Sequence, residues 1–380
     1  MGIEFVIIAS LALGAAIFVV IVAAALIGHK WFSGRKTRRL KRLYQVYSVI
    51  FSELLLEPLT PLPPGSKTSA IFKQYETLLI QIKAKLKRFS KRRRQLHLKA
   101  LRNVLVDFAQ DITGEPAERL LYFFYSFKFV DEEIAFLQSR HWWVRAQAAR
   151  DLGLLKARRA IAPITAALED PHPDVRAQAA QSLVAIVGVG ALPTILRVSR
   201  NLSRWIALEL SVIVKKFEHA AVPALLEALH HTDESVVLFC LEMLAEIGFV
   251  EAVDHVRVLA ESSPHLKIQT KAVEVLGRLG DQRAEKLLLS LVAGPSKPLR
   301  MSALRALEKI GLPQATPLLL ERVRNAELDE KLTAARALSA TGALGVEHLR
   351  ALIMDDKPLV RSVALQVLEE IETYHLVSAS

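Results

Sequence analysis

The side chains that could do chemistry are few and scattered. Cys240 is the sole cysteine, so neither a disulfide framework nor a multi-cysteine zinc or iron–sulfur site can be built. His230-His231 with Asp233 offers metal-ligand types, but one such cluster without a second half falls short of the ligand set that zinc requires. Glu218-His219 and Glu347-His348 pair a carboxylate with an imidazole twice, and surface placement is the expectation for both. Gly188-Val-Gly190 lacks the further glycines and the preceding strand of a phosphate-cradling loop, and no His-Glu-x-x-His occurs. The expectation is therefore a chain that is not an enzyme, with no catalytic residue, no metal ligand and no cofactor.

Cations are the one chemistry-bearing type that clusters. The chain has 380 residues and a formal net charge of +11. Residues 29–102 carry 19 Lys and Arg against three acids, whereas residues 103–380 carry 31 against 35. The basic character belongs to one N-terminal segment, so the whole-chain charge does not by itself indicate a nucleic-acid binder. Its densest part is Lys83, Lys85, Lys87, Arg88, Lys91, Arg92, Arg93 and Arg94, followed by Lys99 and Arg102. Anionic lipid headgroups, an acidic protein, nucleic acid, or plain solvation of a helix face would each suit it. Headgroup attraction is worth about 1 kcal/mol per cation near a membrane and decays within a Debye length. No aromatic stacking pattern accompanies the cations, which lowers the nucleic-acid reading.

The elements that carry these residues begin with an apolar run of 25 residues at 3–27, broken by one acid, Glu4, at its outer edge. As a helix it would exceed the ~30 Å hydrocarbon core, so it reads as a transmembrane helix within residues 1–28. A cleaved signal peptide fits less well: no Lys or Arg precedes the run, and it is longer than the usual ~7–15 apolar residues. Lys30, Arg35, Lys36, Arg38, Arg39, Lys41 and Arg42 follow immediately. By the inside-positive bias they place the N-terminus outside and the C-terminal bulk in the cytoplasm, as in a single-pass protein of a bacterial inner membrane. Trp31 and Phe32 sit where interfacial anchors belong.

Residues 29–114 read as a basic helical hairpin. Leu40, Leu43, Tyr47, Ile50, Phe51 and Leu54 recur at helical spacing. Pro58, Pro61, Pro63, Pro64 and Gly65 break the helix. A second pattern runs from Ile71 to Phe108. Two such helices would form an antiparallel pair standing on the membrane. Residues 115–139 would cap the segment that begins at residue 140. Glu115-Pro-Ala-Glu opens one helix, Asp131 would cap another, and Leu120, Phe123, Phe124, Phe127 and Phe129 are too apolar for solvent.

From residue 140 to 375 the chain repeats itself, with residues 376–380 as a tail. Residues 142–150 read Trp-Trp-Val-Arg-Ala-Gln-Ala-Ala-Arg, and 173–181 read Pro-Asp-Val-Arg-Ala-Gln-Ala-Ala-Gln. Extended, the register places an anchor at Val144, Val175, Trp205, Val236, Ile268, Leu299, Glu330 and Val360. Four residues on stand Ala148, Ala179, Glu209, Cys240, Ala272, Ala303, Ala334 and Ala364, all small but Glu209. Eight residues on stand Leu152, Leu183, Ile213, Leu244, Leu276, Leu307, Leu338 and Leu368, all large aliphatics. Both columns share one helix face. Cys240 thereby becomes a packing residue. Gly248, Gly280, Gly311 and Gly342 stand where C-caps are needed, and second helices start near Pro163, Pro193, Pro223 and Pro317. The fold class is all-α: an N-terminal transmembrane helix, a basic hairpin, and an α-solenoid of about eight helix–turn–helix repeats.

The segments Asp170-Pro-His-Pro-Asp-Val-Arg-Ala-Gln-Ala-Ala and Pro298-Leu-Arg-Met-Ser-Ala-Leu-Arg-Ala-Leu resemble HEAT repeats of the short class also found in phycobilisome lyases. The resemblance implies a partner-binding concave face lined by second helices, and arginines (Arg145, Arg176, Arg300, Arg361) that bind neighbouring backbone or acids. Some HEAT-like enzymes hold a di-iron centre through His-Glu pairs, and that dipeptide is absent. Repeat three departs from the pattern, with Glu209 at the small position and Ile206 in place of arginine, so its stacking should change locally. The function these features suggest is a membrane-anchored scaffold whose solenoid binds a protein partner, of the kind that supports envelope or polysaccharide machinery. The alternatives are polyanion or anionic-lipid binding through residues 83–102, and a lyase-like HEAT enzyme. No small-molecule substrate is expected.

Overall fold

Small side chains let helices approach closely, and the chain uses them to stack one helix pair on the next. The structure, a computed structural model, describes residues 37–53, 69–112 and 114–378. The apolar run at 3–27, the flanking Lys30, Trp31, Phe32, Arg35 and Lys36, and the proline-rich turn at 58–65 lie outside them. Among the described residues every regular element is a helix and none is a strand. They form two compact units, divided between Pro163 and Ile164.

The first unit holds α1 (37–53), α2 (Ser69–Lys87), α3 (Lys91–Asp111), α4 (Glu115–Ser126), α5 (Phe129–Phe136) and α6 (Trp142–Leu154). The expected second arm of the hairpin is two helices, not one. It breaks at Arg88-Phe89-Ser90, where Ser90 is extended (φ −59°, ψ 155°). Arg94 closes the corner, donating from Nε to the carbonyl of Leu86 at 3.1 Å and from Nη2 to that of Lys87 at 3.4 Å. These two carbonyls lie in the last turn of α2, beyond the regular intrahelical donors, and that of Leu86 also accepts from the Phe89 N–H at 3.3 Å. Tyr44 hydrogen-bonds Asp107 and Tyr47 hydrogen-bonds His97 at 2.9 Å. Moving forward along α1 thus moves backward along α3, so the two run antiparallel. Phe51 is fully buried and meets Phe123 of α4 edge-on, 5.1 Å between centroids. The basic segment is part of a packed bundle rather than a free-standing pair. Leu120, Phe123, Phe124 and Phe129 are buried, which makes the aromatic run packing and not a docking patch. Asp131 lies inside the first turn of α5 rather than at its cap. Lys128 takes the cap position in the left-handed region (φ 61°).

The second unit continues the repeats. The division between the two units falls inside α7 (Ile161–Ala167), and the second unit then holds α8 (Pro173–Val187), α9 (Leu192–Val198), α10 (Arg204–Phe217), α11 (Val222–Ala228), α12 (Glu234–Ile247) and α13 (Val253–Ser262). Then come α14 (Leu266–Leu279), α15 (Glu285–Ala293), α16 (Lys297–Ile310), α17 (Thr316–Asn325), α18 (Leu328–Ala340), α19 (Ala343–Leu352) and α20 (Pro358–Ser378). The eighth anchor belongs to α20 alone, so the described residues give paired helices up to α18–α19 and then a single long helix. Pro193, Pro223 and Pro317 fall in the first turns of α9, α11 and α17, where a missing N–H costs nothing. The segment Pro173–Val198 is apolar and long enough to cross a membrane. It is α8 and α9 joined by a 3-10 turn at Gly188–Ala191, half buried within the stack.

The two sequence columns form the core. Ala179, Cys240, Ala272, Ala303, Ala334 and Ala364 are completely buried, and so are Leu244, Leu276, Leu307 and Leu338. Helices α12, α14, α16, α18 and α20 lie one on the next through these faces. Gly248, Gly280 and Gly311 are left-handed C-caps whose N–H groups bond the carbonyls of Leu244, Leu276 and Leu307. Gly342 is not one. Thr341 ends α18, its hydroxyl donating to the Leu338 carbonyl at 2.8 Å, and Gly342 begins α19.

One close approach has no counterpart in either column. A Cβ on Gly277 would stand 2.5 Å from Ala306 Cα, so the backbones of α14 and α16 come into direct contact there. Alanine is the better helix former by about 1 kcal/mol, yet Gly277→Ala should destabilise the protein by about 1–3 kcal/mol because the neighbour is rigid. Urea unfolding of the full chain checks this, and an unchanged or raised midpoint would contradict the packing described.

Candidate functional site

Two surfaces stand out once the packing is subtracted: a cleft at repeats two and three, and the basic corner between α2 and α3.

The cleft originates in the turns between repeats. Arg145 donates to the Ser139 carbonyl at 2.8 Å, and Arg176 to Asp170 and Pro171 at 2.9 and 3.1 Å. Arg300 donates to Gly294 and Pro295 at 3.2 and 2.7 Å, and Arg361 to Asp355 and Asp356 at 2.9 and 3.2 Å. These are the backbone contacts that the resemblance implied. Lys331 performs the same task in repeat seven, reaching the carbonyls of Val323 and Arg324 at 3.1 and 2.8 Å. Arg300 also holds the buried anchor Glu330, Nε to Oε1 at 3.0 Å and Nη2 to Oε2 at 3.1 Å. An acid at a core position is tolerated because it is paired.

Repeat three has Ile206 where the arginine would be, and its turn is tied forward instead of back. The N–H groups of Asn201 and Leu202 donate to Asp233 and Ser235 of repeat four, both at 2.8 Å. His231 Nε2 meets the Arg197 carbonyl at 3.1 Å, and its Nδ1 accepts from the Asp233 N–H at 2.9 Å. Burial works against ionisation of Asp233, but hydrogen bonds from Ser235 and the backbone N–H groups hold its carboxyl below the usual range. The His230-His231-Asp233 cluster is thus a staple between repeats. Glu209, at the small position, is half-exposed and accepts from Gln181 across the gap. Helix α10 consequently packs loosely on α8 and α12. A cleft of about 470 Å³ opens beside it, floored by Leu168, Ala180, Ile195, Ile206 and Leu210 and rimmed by Glu169, Asp170, Arg176 and Arg200.

The basic cluster resolves into three parts. Lys83 lies over the Phe127 ring, 5.7 Å from its centroid, and Arg94 closes the corner. Arg102 lies inside the first unit, its Nε 3.0 Å from Glu133 Oε1. Lys85, Lys87, Arg88, Lys91, Arg92 and Arg93 are exposed, and none forms an ion pair among the described residues. The first turn of α3 carries Lys91, Arg92 and Arg93 and no acid, although a helix dipole favours anions there. His97 stacks on Phe89 at 4.5 Å between centroids. Burial and the charges of Lys85 and Arg93 push its pKa down. The positive field of the corner is thus felt at a neighbouring ring. Arg38, Arg39, Lys41 and Arg42 are exposed on α1.

The remaining sequence candidates lie apart. Glu218-His219 and Glu347-His348 are exposed. Burial pushes the Cys240 thiol up to about 12, far from the thiolate that a nucleophile needs. No group of three or more His, Cys, Asp or Glu is placed to hold a metal among the described residues.

Helix pairs stacked on a shared small-residue and leucine face define an α-solenoid repeat protein. The HEAT-repeat profile matches residues 130–211, 257–339 and 285–369, together just over half of the sequence. The chain belongs to the HEAT-repeat family. No curated protein matches it significantly. Among solved structures, an engineered protein is 18% identical, with a TM-score of 0.32 over 76% of this chain and 97% of that one. The CpcE–CpcF complex of phycocyanin lyase from Nostoc sp. is 21% identical, with a TM-score of 0.26 over 70% and 94%. Human deoxyhypusine hydroxylase in complex with glycerol is 16% identical, with a TM-score of 0.28 over 72% and 96%.

A buried acid pair in the first unit was not legible as such in the sequence. Glu133 is 1% exposed and Asp151 is 2% exposed. Burial pushes the Glu133 carboxyl up to about 7 against the pull of Arg102, and burial raises Asp151 in the same direction. A raised carboxyl binds its proton more tightly folded than unfolded, so stability is present at low pH and is lost as pH rises through the folded value. Thermal unfolding of the first unit should therefore move down in temperature between about pH 4.5 and pH 7, and the slope should flatten in Glu133→Gln. A midpoint that rises across that window would contradict the assignment.

Proposed function

We propose that this chain is a single-pass membrane-anchored scaffold whose HEAT-repeat solenoid holds a protein partner at the cytoplasmic face of a bacterial inner membrane. The observation that carries the partner-binding half is the cleft at repeats two and three. Its floor is apolar, it is open to solvent, and no proton-transfer or metal-binding set lines it. It suits the insertion of side chains from another protein better than turnover of a small molecule. HEAT-repeat solenoids generally present such surfaces to protein partners. The anchoring half rests on the sequence: the apolar run at 3–27 and the cations that follow it. Envelope or polysaccharide machinery remains the class of partner that this organisation suggests.

The test is photo-crosslinking in intact cells from a reactive side chain placed at Arg200, on the cleft rim, followed by extraction and mass spectrometry. One membrane-associated protein should dominate the products, and a reactive group at Lys267, on an exposed face elsewhere in the second unit, should not capture it. A reporter that is active only in the cytoplasm, fused after Ser380, should be active. Absence of any partner above background from Arg200 would remove the scaffold reading, and an inactive reporter would reverse the topology.

A further inference from the structure

We propose that the corner between α2 and α3 docks on an anionic phospholipid surface, with α1 lying along that surface rather than standing on it. The inference rests on the membrane-anchored reading above and adds a second, independent contact to it.

The corner presents Lys85, Lys87, Arg88, Lys91, Arg92 and Arg93 to solvent, unpaired among the described residues. They are held in place: Arg94 ties α2 to α3, and Phe89 is stacked on His97, which in turn bonds Tyr47 of α1. A fixed array of this kind offers a surface of cations to phosphate groups without first ordering a flexible segment. The rest of the chain offers no compensating excess, since residues 103–380 are only slightly acidic.

Geometry then restricts how a bilayer is met. Helix α1 follows the anchor and rises about 25 Å along its length. Because α1 and α3 are antiparallel, the corner sits toward the far end of α1 from the anchor. An upright α1 would hold the corner well beyond the ~8 Å over which attraction survives physiological salt. A reclining α1 removes that gap, and its exposed face suits the position. Arg39 and Arg42 are followed on the same face by Val46 and Val49, which are 55% and 57% exposed. Cations beside an apolar stripe are what a helix at the headgroup boundary displays.

The test uses the full-length protein in lipid nanodiscs. Arg92→Cys supplies the labelling site, because Cys240 is buried and unreactive, and Lys267→Cys is the remote control. In discs containing phosphatidylglycerol, a fluorophore at 92 should be quenched by headgroup-attached quencher. The quenching should be lost in phosphatidylcholine discs and in high salt, and the label at 267 should not respond. In the Lys85→Glu, Lys87→Glu, Arg93→Glu variant it should fall about tenfold or more, with the thermal midpoint unchanged. Equal exposure of the label in both kinds of disc would overturn the proposal. Protection by inorganic polyphosphate or an RNA oligonucleotide, with no response to anionic lipid, would replace it with a soluble polyanion. Should the chain wash out of membranes at alkaline pH, the anchoring reading falls. Flotation of the same protein with phosphatidylglycerol vesicles then decides the corner by itself.

Discussion

The close approach of one helix to the next, set by residues that lack bulk, is the constraint on which the structure depends. A helix pair of this size has one apolar face and nothing of its own to cover it. Alanine or cysteine four residues beyond seven of the eight anchors brings the neighbouring backbone near enough for the leucine four residues later to fill the space between layers. The polar contacts of the repeats that carry an arginine or lysine after the anchor follow from that spacing. With layers so close, the turns between repeats crowd together, their carbonyls need donors, and an arginine or lysine near the start of the first helix is within reach of them. Where the small residue is replaced, at Glu209, the arginine is also gone at Ile206. The layers separate, and Asp233, Ser235 and His231 take over the turn. The missing arginine alone does not part the layers, since repeats four and five carry Val237 and Gln269 at that position, keep Cys240 and Ala272 buried, and pack closely.

The solenoid was legible in the sequence to the extent that its causes recur. Eight copies expose a column of small residues and a column of leucines, and both form the core. Features that occur once did not show. Gly277 is a single glycine in a helical pattern, and only the position of Ala306 explains it. The break before Lys91 carries neither proline nor glycine. It is made by side chains closing on backbone, which spacing does not reveal. Gly342 shares the register of the capping glycines but lies one residue past a threonine that ends the helix by itself. Nothing in the sequence marks Glu133 and Asp151 as buried, since burial of a charge depends on a partner far along the chain, here Arg102.

The candidate surfaces divide in the same way. The irregularity of repeat three was visible as two wrong residue types, though not that it would leave a cleft rather than a tighter joint. The cationic run was visible in full. The structure sorts it, withdrawing Lys83, Arg94 and Arg102 into packing and leaving six cations at one corner. A count of charges along a helix overstates a surface whenever some of the cations are occupied with carbonyls, rings or buried acids.

The loose seating of α10 also has a mechanical meaning. In a stacked array, resistance to opening is transmitted between nearest neighbours, and the chain of couplings is only as strong as its weakest link. From α12 onward the links are dense. At α10 the coupling runs mainly through the short second helices and the Asp233 staple. Within the second unit, the C-terminal block from α12 onward is therefore joined to repeat two by a more compliant joint at α10. A bend between repeat two and that block would be taken up at α10 first, by a change of angle rather than by loss of structure.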